Sequence, residues 1–186
     1  MNLKIRIPGW AQDKPIPSDL YSYENPSAQK IEIKVNGHAV DYHVKNGYAI
    51  ISKKWKKNDK VELTLPMEVQ RVIANAALGD DNGKIALQRG PIMYCAEWKD
   101  NDGKATNMIV PKGTMFTTLF EPSLLNGVMV LKAQVKSVNI DEAAQTIVTG
   151  NKTMTAIPYY SWANRGKGEM TVWFAEKVTD IALLTK

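Results

Sequence analysis

A single cysteine, Cys95, and two histidines, His38 and His43, leave this chain of 186 residues short of the side chains that make disulfide frameworks and most transition-metal sites. One thiol closes no bridge, and a thiolate metal centre needs soft ligands that are not here. Long apolar runs are lacking too. No segment approaches the roughly 20 consecutive apolar residues that span a bilayer, and the N-terminal MNLKIRIPGW has no extended apolar core of the signal-peptide kind. The sequence therefore predicts a soluble chain with no membrane partner and leaves its compartment open.

What is present suits one or two globular domains, since 44% of the residues are apolar. The net charge is +5, from 24 basic and 19 acidic residues. The densest basic run, Lys53, Lys54, Lys56, Lys57 and Lys60, surrounds Trp55 and a turn at Asn58 and Asp59. Such a run attracts phosphates. At a hairpin end, however, lysines more commonly keep a strand edge solvated and oppose pairing with other chains, so no nucleic-acid partner is expected.

Period-two alternation dominates the chain. Leu3, Ile5 and Ile7 alternate with Lys4 and Arg6, as in a strand with one buried face, until Pro8 and Gly9 stop it. The segment from Gln12 to Gln29 holds three prolines and several turn formers and reads as a surface loop. Ile31, Ile33 and Val35 alternate again and run into Asn36-Gly37, the strongest short hairpin signal, with a return strand expected near Ala39 to His43. Gly47 to Trp55 and Val61 to Leu65 read as a further strand pair joined through the Lys56 to Lys60 turn. Ile85 to Leu87 and Ile92 to Ala96 are strand-like and broken by Arg89-Gly90-Pro91, which permits a bulge or a sharp bend. Val128 to Val138, Thr146 to Val148, Met154 to Tyr160 and Met170 to Phe174 continue the theme, whereas helical signals are confined to Leu119 to Leu125 and Asp141 to Ala144. The fold class expected is all-β, two small antiparallel β-sandwich domains of jelly-roll type. The division falls at residues 1–72 and 73–186, beside the linker-like NAALGDDNG, and the first domain has room for leading strands that are not in this chain.

The side chains do not assemble an obvious reaction centre. Hydrolysis of a glycosidic bond needs two carboxyl groups roughly 5 to 10 Å apart on rigid supports, yet Asp80 with Asp81, Asp100 with Asp102, and Asp141 with Glu142 all fall in turns, where Asp caps backbone amides. Glu97, at a strand end beside Trp98, has no visible acidic partner and is read as one half of a salt bridge. His38 and His43 flank a hairpin turn on neighbouring positions, but a catalytic zinc takes three protein ligands, so they are read as polar residues of a sheet edge. Cys95 follows Tyr94 in an apolar strand without a nearby histidine and is read as a buried, inert thiol. Among the five tryptophans, core packing competes with a role as platforms for sugar rings. Trp10, Trp98 and Trp162 are the residues singled out for carbohydrate contact; no catalytic, cofactor-binding or metal-ligating residue is assigned.

Several segments together resemble glycoside hydrolase family 127, whose characterised activity is β-L-arabinofuranosidase. They are LKIRIPGWA at Leu3 to Ala11, VNG at Val35 to Gly37, GYAIISKKW at Gly47 to Trp55, and NDKVELTLPM at Asn58 to Met67. Downstream, GKIALQRGPIMYCAE at Gly83 to Glu97 and AIPYYSWANRGKGEMTVWF at Ala156 to Phe174 complete the set, in the family's order. The resemblance implies an (α/α)6 barrel that carries the active site, followed by β-sandwich domains. It also implies a cysteine nucleophile near zinc with cysteine and glutamate ligands, all within the barrel. Cys95 matches none of these; it lies in the RGPIMYC strand. Only Met1 and Asn2 precede the LKIRIPGWA-like segment, so the expectation is an accessory β-sandwich portion that carries no cofactor of its own. Its partner would be the catalytic barrel or a second copy of itself. The alternatives weighed are a stand-alone carbohydrate-binding module using exposed aromatic rings, and an independent hydrolase built on Glu97 and a turn aspartate.

Overall fold

The computed structural model describes residues 1–181 except Glu142 and Gln145. The first half holds β1 (Asn2–Arg6), β2 (Tyr21–Tyr23), β3 (Glu32–Val35), β4 (His38–Ala39), β5 (His43–Lys45), β6 (Tyr48–Ser52), β7 (Val61–Thr64) and β8 (Val69–Ala74). The second half holds β9 (Lys84–Arg89), β10 (Ile92–Glu97), β11 (Met108–Ile109), β12 (Thr117–Glu121), β13 (Val128–Asp141), β14 (Thr146–Pro158), β15 (Met170–Thr171) and β16 (Trp173–Ala175). The protein is all-β, its helical segments among the described residues being single 3-10 turns.

Two three-stranded sheets, ordered β1-β6-β5 and β4-β3-β7, bury Ile7, Ala49, Ile51 and Ile33 between them. Asn36 and Gly37 take φ of 54° and 80°, and Val35 pairs with His38 across them, the two-residue I′ hairpin that the sequence announces. A second hairpin of the same type goes unremarked in the sequence reading. Asn46 and Gly47, at φ 52° and 75°, turn β5 into β6. The expected pairing of the Gly47–Trp55 and Val61–Leu65 strands is not found. β6 pairs with β1 and β5, and β7 pairs with β3, so the lysine-rich turn carries the chain from one sheet to the other. Asp59 locks that turn: it accepts from the Asn36 side chain at 2.8 Å and from the Lys56 amide at 3.0 Å, bonds that hold its carboxyl below the usual range, the Lys56 amide foremost. Lys53 lies 3.4 Å from it. The inner face is not fully covered, because Val44 and Leu63 remain 46% and 36% exposed.

Of the ten remaining strands, six pair in a closed circuit, and β8 with β2, β12 and β15 are attached outside it. β9 pairs with β10, β10 with β14, β14 with β13, β13 with β11, β11 with β16, and β16 returns to β9. Alternate residues point into the ring: Ile85 and Leu87, Tyr94 and Ala96, Leu131, Ala133 and Val135, Met154 and Ala156, and Phe174 make up its core. Closure removes the edges that an open sheet of these strands would expose. The break at Arg89-Gly90-Pro91 is the hairpin turn itself, since Arg89 pairs with Ile92 and Gly90 has φ 57°. A positive φ followed by the fixed negative φ of proline is what a II′ turn requires. Gly90 is also a contact point, for a Cβ there would lie 2.6 Å from Met67 Sδ and 3.7 Å from the Trp10 ring.

Three local expectations fail for identifiable reasons. The Gln12–Gln29 segment is not loop throughout, because β2 adds to β8, with Tyr21 opposite Ala74 and Tyr23 opposite Val72. Leu119–Leu125 is not helical; Thr117–Glu121 pairs along β13, and Pro122 follows at once. The Asp141–Ala144 segment is no helix where described: Asp141 ends β13 and accepts from the Ala143 and Ala144 amides at 3.0 Å, and Glu142 lies outside the described residues. Thr146–Val148 and Met154–Tyr160, read as two strands, are joined through Gly150 into β14, which ends at Pro158.

β2 is fixed by more than its ladder. Arg71 on β8, whose side chain is 10% exposed, donates Nε to Glu24 at 2.6 Å, Nη2 to Glu176 at 2.5 Å, and Nη1 to the Pro111 carbonyl at 3.2 Å. A buried guanidinium with two carboxylates is tolerated because nearly every donor is engaged.

Candidate functional site

Three charged side chains converge where β10 ends. Glu97 is 3% exposed, a burial that a carboxylate tolerates only when paired. Its partners come from far along the chain. The Ala163 amide donates to Oε1 at 3.0 Å, and Arg165 donates Nε to Oε2 at 3.0 Å with Nη2 on the same oxygen. The guanidinium also grips Asp100, Nη1 to Oδ1 at 2.7 Å and Nη2 to Oδ2. These bonds, those to Asp100 foremost, push Arg165 further above its ordinary pKa against the opposing effect of burial. Both carboxylates are thus engaged by one guanidinium through several bonds, and neither is directed at open solvent where a sugar oxygen could stand.

The clamp fixes an aromatic turn. Leaving β14, Tyr159–Ser161 makes one 3-10 turn, and Asn164 closes the following bend by donating Nδ2 to the Ser161 carbonyl at 3.0 Å. Ser161 is buried, while Tyr159, Tyr160 and Trp162 are 44%, 70% and 41% exposed. The Tyr159 and Trp162 rings stack at 5.8 Å between centroids and 15° between planes. Glu97, by receiving Ala163 and Arg165, ties the segment carrying these rings to the end of β10.

The residues singled out from the sequence are dispersed. Trp10 packs half-buried on the first core beside Gly90. Trp98 is half-buried with its ring against Gly168, where a Cβ would fall 2.0 Å from Cδ1. Of the three, Trp162 is the exposed one. His38 stands on β4 and His43 on β5, in different sheets, so the hairpin does not bring them together as neighbours. Among the described residues no three His, Cys, Asp or Glu side chains are grouped to hold a metal. Asp81 accepts from the Tyr21 hydroxyl at 3.2 Å, and Asp102 faces Lys152 at 3.9 Å. Arg165 is the residue that the sequence reading missed; its only signal was a cation in the WANRG loop, 68 residues from its partner.

Cys95 is fully buried, and burial pushes its thiol up to about 12. We predict that it resists a thiol-specific reagent at pH 8 in the folded protein and reacts at once in denaturant, read by absorbance. The sign of its effect on stability follows. A thiol of the unfolded chain ionises near pH 8.5, roughly, so between there and about 12 the unfolded state releases its proton first and stability falls as pH rises. Replacing Cys95 by Ala flattens that part of the stability profile, measured by urea denaturation across the alkaline range.

Arg165→Met leaves Glu97 and Asp100 facing each other without their cation. It is expected to destabilise by about 3–5 kcal/mol, whereas the triple variant Arg165→Met, Glu97→Gln, Asp100→Asn recovers most of the loss. Thermal melts of the two variants check this, and equal losses would contradict the clamp.

Residues 69–175 match the family model for the glycoside hydrolase family 127 C-terminal domain, and residues 1–67 match that for the β-L-arabinofuranosidase GH127 middle domain. A non-reducing end β-L-arabinofuranosidase of Bifidobacterium longum subsp. longum is 31% identical over 180 residues, which are 91% of this chain and 25% of that protein. A solved GH127 β-arabinofuranosidase superposes with a TM-score of 0.90 at 38% identity, over 98% of this chain and 28% of its own. A GH127 β-L-arabinofuranosidase from Geobacillus stearothermophilus T6 gives 0.79 at 36% identity, over 95% and 26%. The chain thus spans about a quarter of the length of these relatives. Matched along nearly all of its length by the two family models, the chain belongs to glycoside hydrolase family 127 and corresponds to its middle and C-terminal domains.

Proposed function

We propose that this chain is the non-catalytic, accessory β portion of a family 127 glycoside hydrolase, supporting an (α/α)6 catalytic barrel and contributing to contacts between subunits. The observation that carries the reading is the clamp: Glu97 and Asp100 are committed to Arg165, so neither is free to donate or accept a proton at a sugar oxygen. Cys95 supports it from another side, because a thiol buried and pushed up to about 12 is no nucleophile at neutral pH. In this reading the two units, residues 1–72 and 73–186, meet within β8, and zinc belongs to the barrel rather than to this chain. The relatives' activity, β-L-arabinofuranosidase, supplies the substrate class of the whole enzyme in this reading. Assayed alone on an aryl β-L-arabinofuranoside with zinc and reductant, the chain is expected to give no turnover; hydrolysis above background that follows the protein through purification would overturn the proposal.

A second reading rests on the exposed ring stack. Tyr159 and Trp162 present aromatic faces of the kind that pack on the apolar faces of sugars, and of the three tryptophans proposed for carbohydrate contact, Trp10 and Trp98 have much of their surface covered. If the aromatic turn binds neutral glycan, the chain is retarded in a gel containing arabinose-rich polysaccharide, and Trp162→Ala abolishes the retardation. Identical mobility with and without the polysaccharide would leave the accessory role standing alone.

A further inference from the structure

The outer face of the β1-β6-β5 sheet is used by none of the interactions described so far. Its register sets out rows across three strands. Lys4, Ile50 and His43 stand opposite one another, and Arg6, Tyr48 and Lys45 form the next row. The middle strand thus supplies an apolar and aromatic floor, and each outer strand supplies nitrogen-bearing side chains. Neighbouring strands lie about 4.8 Å apart and alternate residues of a strand about 7 Å apart, so the flanking groups stand roughly 10 Å apart across the floor, in two successive rows. The face is a hollow of about 650 Å³ lined by Lys4, His43, Lys45, Asn46, Tyr48 and Ile50 among others, and no carboxylate is among its lining residues. Arg6 lies over the Tyr48 ring at 5.6 Å and donates to the Gly47 carbonyl at 2.8 Å, which holds the guanidinium beside the ring. Tyr48 is still 41% exposed.

Cations gathered without a counter-charge repel one another and are neutralised most simply by an anionic ligand. The floor restricts which anion. A small ion needs no aromatic surface, and a single-stranded nucleic acid wants a succession of aromatic rings for its bases, where this face offers one tyrosine and one isoleucine. A chain of carboxylated sugars meets both demands: its ring faces rest on Tyr48 and Ile50 along β6, and its carboxylates reach Lys4 on one side and Lys45 on the other. We propose that the outer face of this sheet binds an acidic, uronate-bearing glycan. The choice of a glycan rests on family membership; the anion rests on the charge of the face. The site shares no residue with the Tyr159–Trp162 stack, so each can fail without the other.

The test uses the whole chain and an oligomer of galacturonate, with a neutral arabinan oligomer as control. Titration followed by backbone NMR is expected to shift residues of β1, β5 and β6 with the uronate oligomer only. Raising the salt to about 1 M, where screening acts over about 3 Å, abolishes the shifts. Lys4→Glu with Lys45→Glu, both exposed, weakens binding by about tenfold or more with an unchanged melting temperature, and Tyr48→Ala weakens it without altering the salt dependence. The proposal is overturned if the uronate shifts nothing on these strands, if the charge-reversed variant binds as well as the parent, or if the neutral oligomer or a single-stranded oligonucleotide competes on equal terms. Should the double variant unfold, the mapped shifts on the unaltered chain decide the matter by themselves.

Discussion

Arg71 is the point through which the two halves of the protein depend on each other. Its guanidinium, 10% exposed, is shared by Glu24 from the proline-rich excursion of the first half and Glu176 from the end of β16, and it also reaches the Pro111 carbonyl. Without such an anchor β2 would be a three-residue strand, too short to hold its place by ladder bonds alone. With it, Tyr21 is brought against Trp173 at 5.5 Å and its hydroxyl reaches Asp81. The excursion thereby covers the outer edge of β8, and an otherwise open margin of the large sheet becomes an interior seam.

A similar economy governs the far side of the ring, where Arg165 serves Glu97 and Asp100 at once. Both nodes place an arginine between two acids; at Arg71 the acids arrive from separate stretches of chain, and at Arg165 they stand three residues apart at the end of β10 while the arginine comes from afar. Arginine suits this work because its fork satisfies two carboxylates while remaining charged, which lysine cannot do in the same geometry. The exposed rings of Tyr159 and Trp162 are presented by a segment that would otherwise be an unsupported loop.

The local features of the fold were legible in the sequence wherever a rule acts within a few residues. Alternation marked β1 and β3, short strand-like runs marked β9 and β10, and Asn36-Gly37 marked a hairpin because both residues accept positive φ. Asn46-Gly47 carries the same signal, but the strand before it, His43–Lys45, is only three residues long and has one apolar side chain to mark it. What could not be read was partnership between distant segments. β6 and β7 adjoin in sequence and still join opposite sheets, because the turn at Asp59 is tied to Asn36 of the β3–β4 hairpin and draws β7 to that side. Leu119 and Phe120 look helical in isolation and become strand because β13 is long enough to pair beyond the ring. The candidate site was legible only in part: Glu97 was read as half of a salt bridge, but its other half, Arg165, lies outside any window in which charges are compared.

Burial and pairing together decide what such an acid can do. A carboxylate left alone at 3% exposure would be driven toward its neutral form, the condition under which it protonates a leaving group. At Glu97 two bonds from Arg165 and one from the Ala163 amide occupy both oxygens and supply the partners that so buried a group requires. The same burial therefore yields a proton donor or a structural tie according to whether a cation shares the pocket. On the outer face of β1, β5 and β6 the balance runs the other way: cations stand in the open with no acid set among them, and water and passing anions are left to neutralise them. Charge that the fold satisfies internally holds the chain together, and charge that it leaves outward is what remains for recognition.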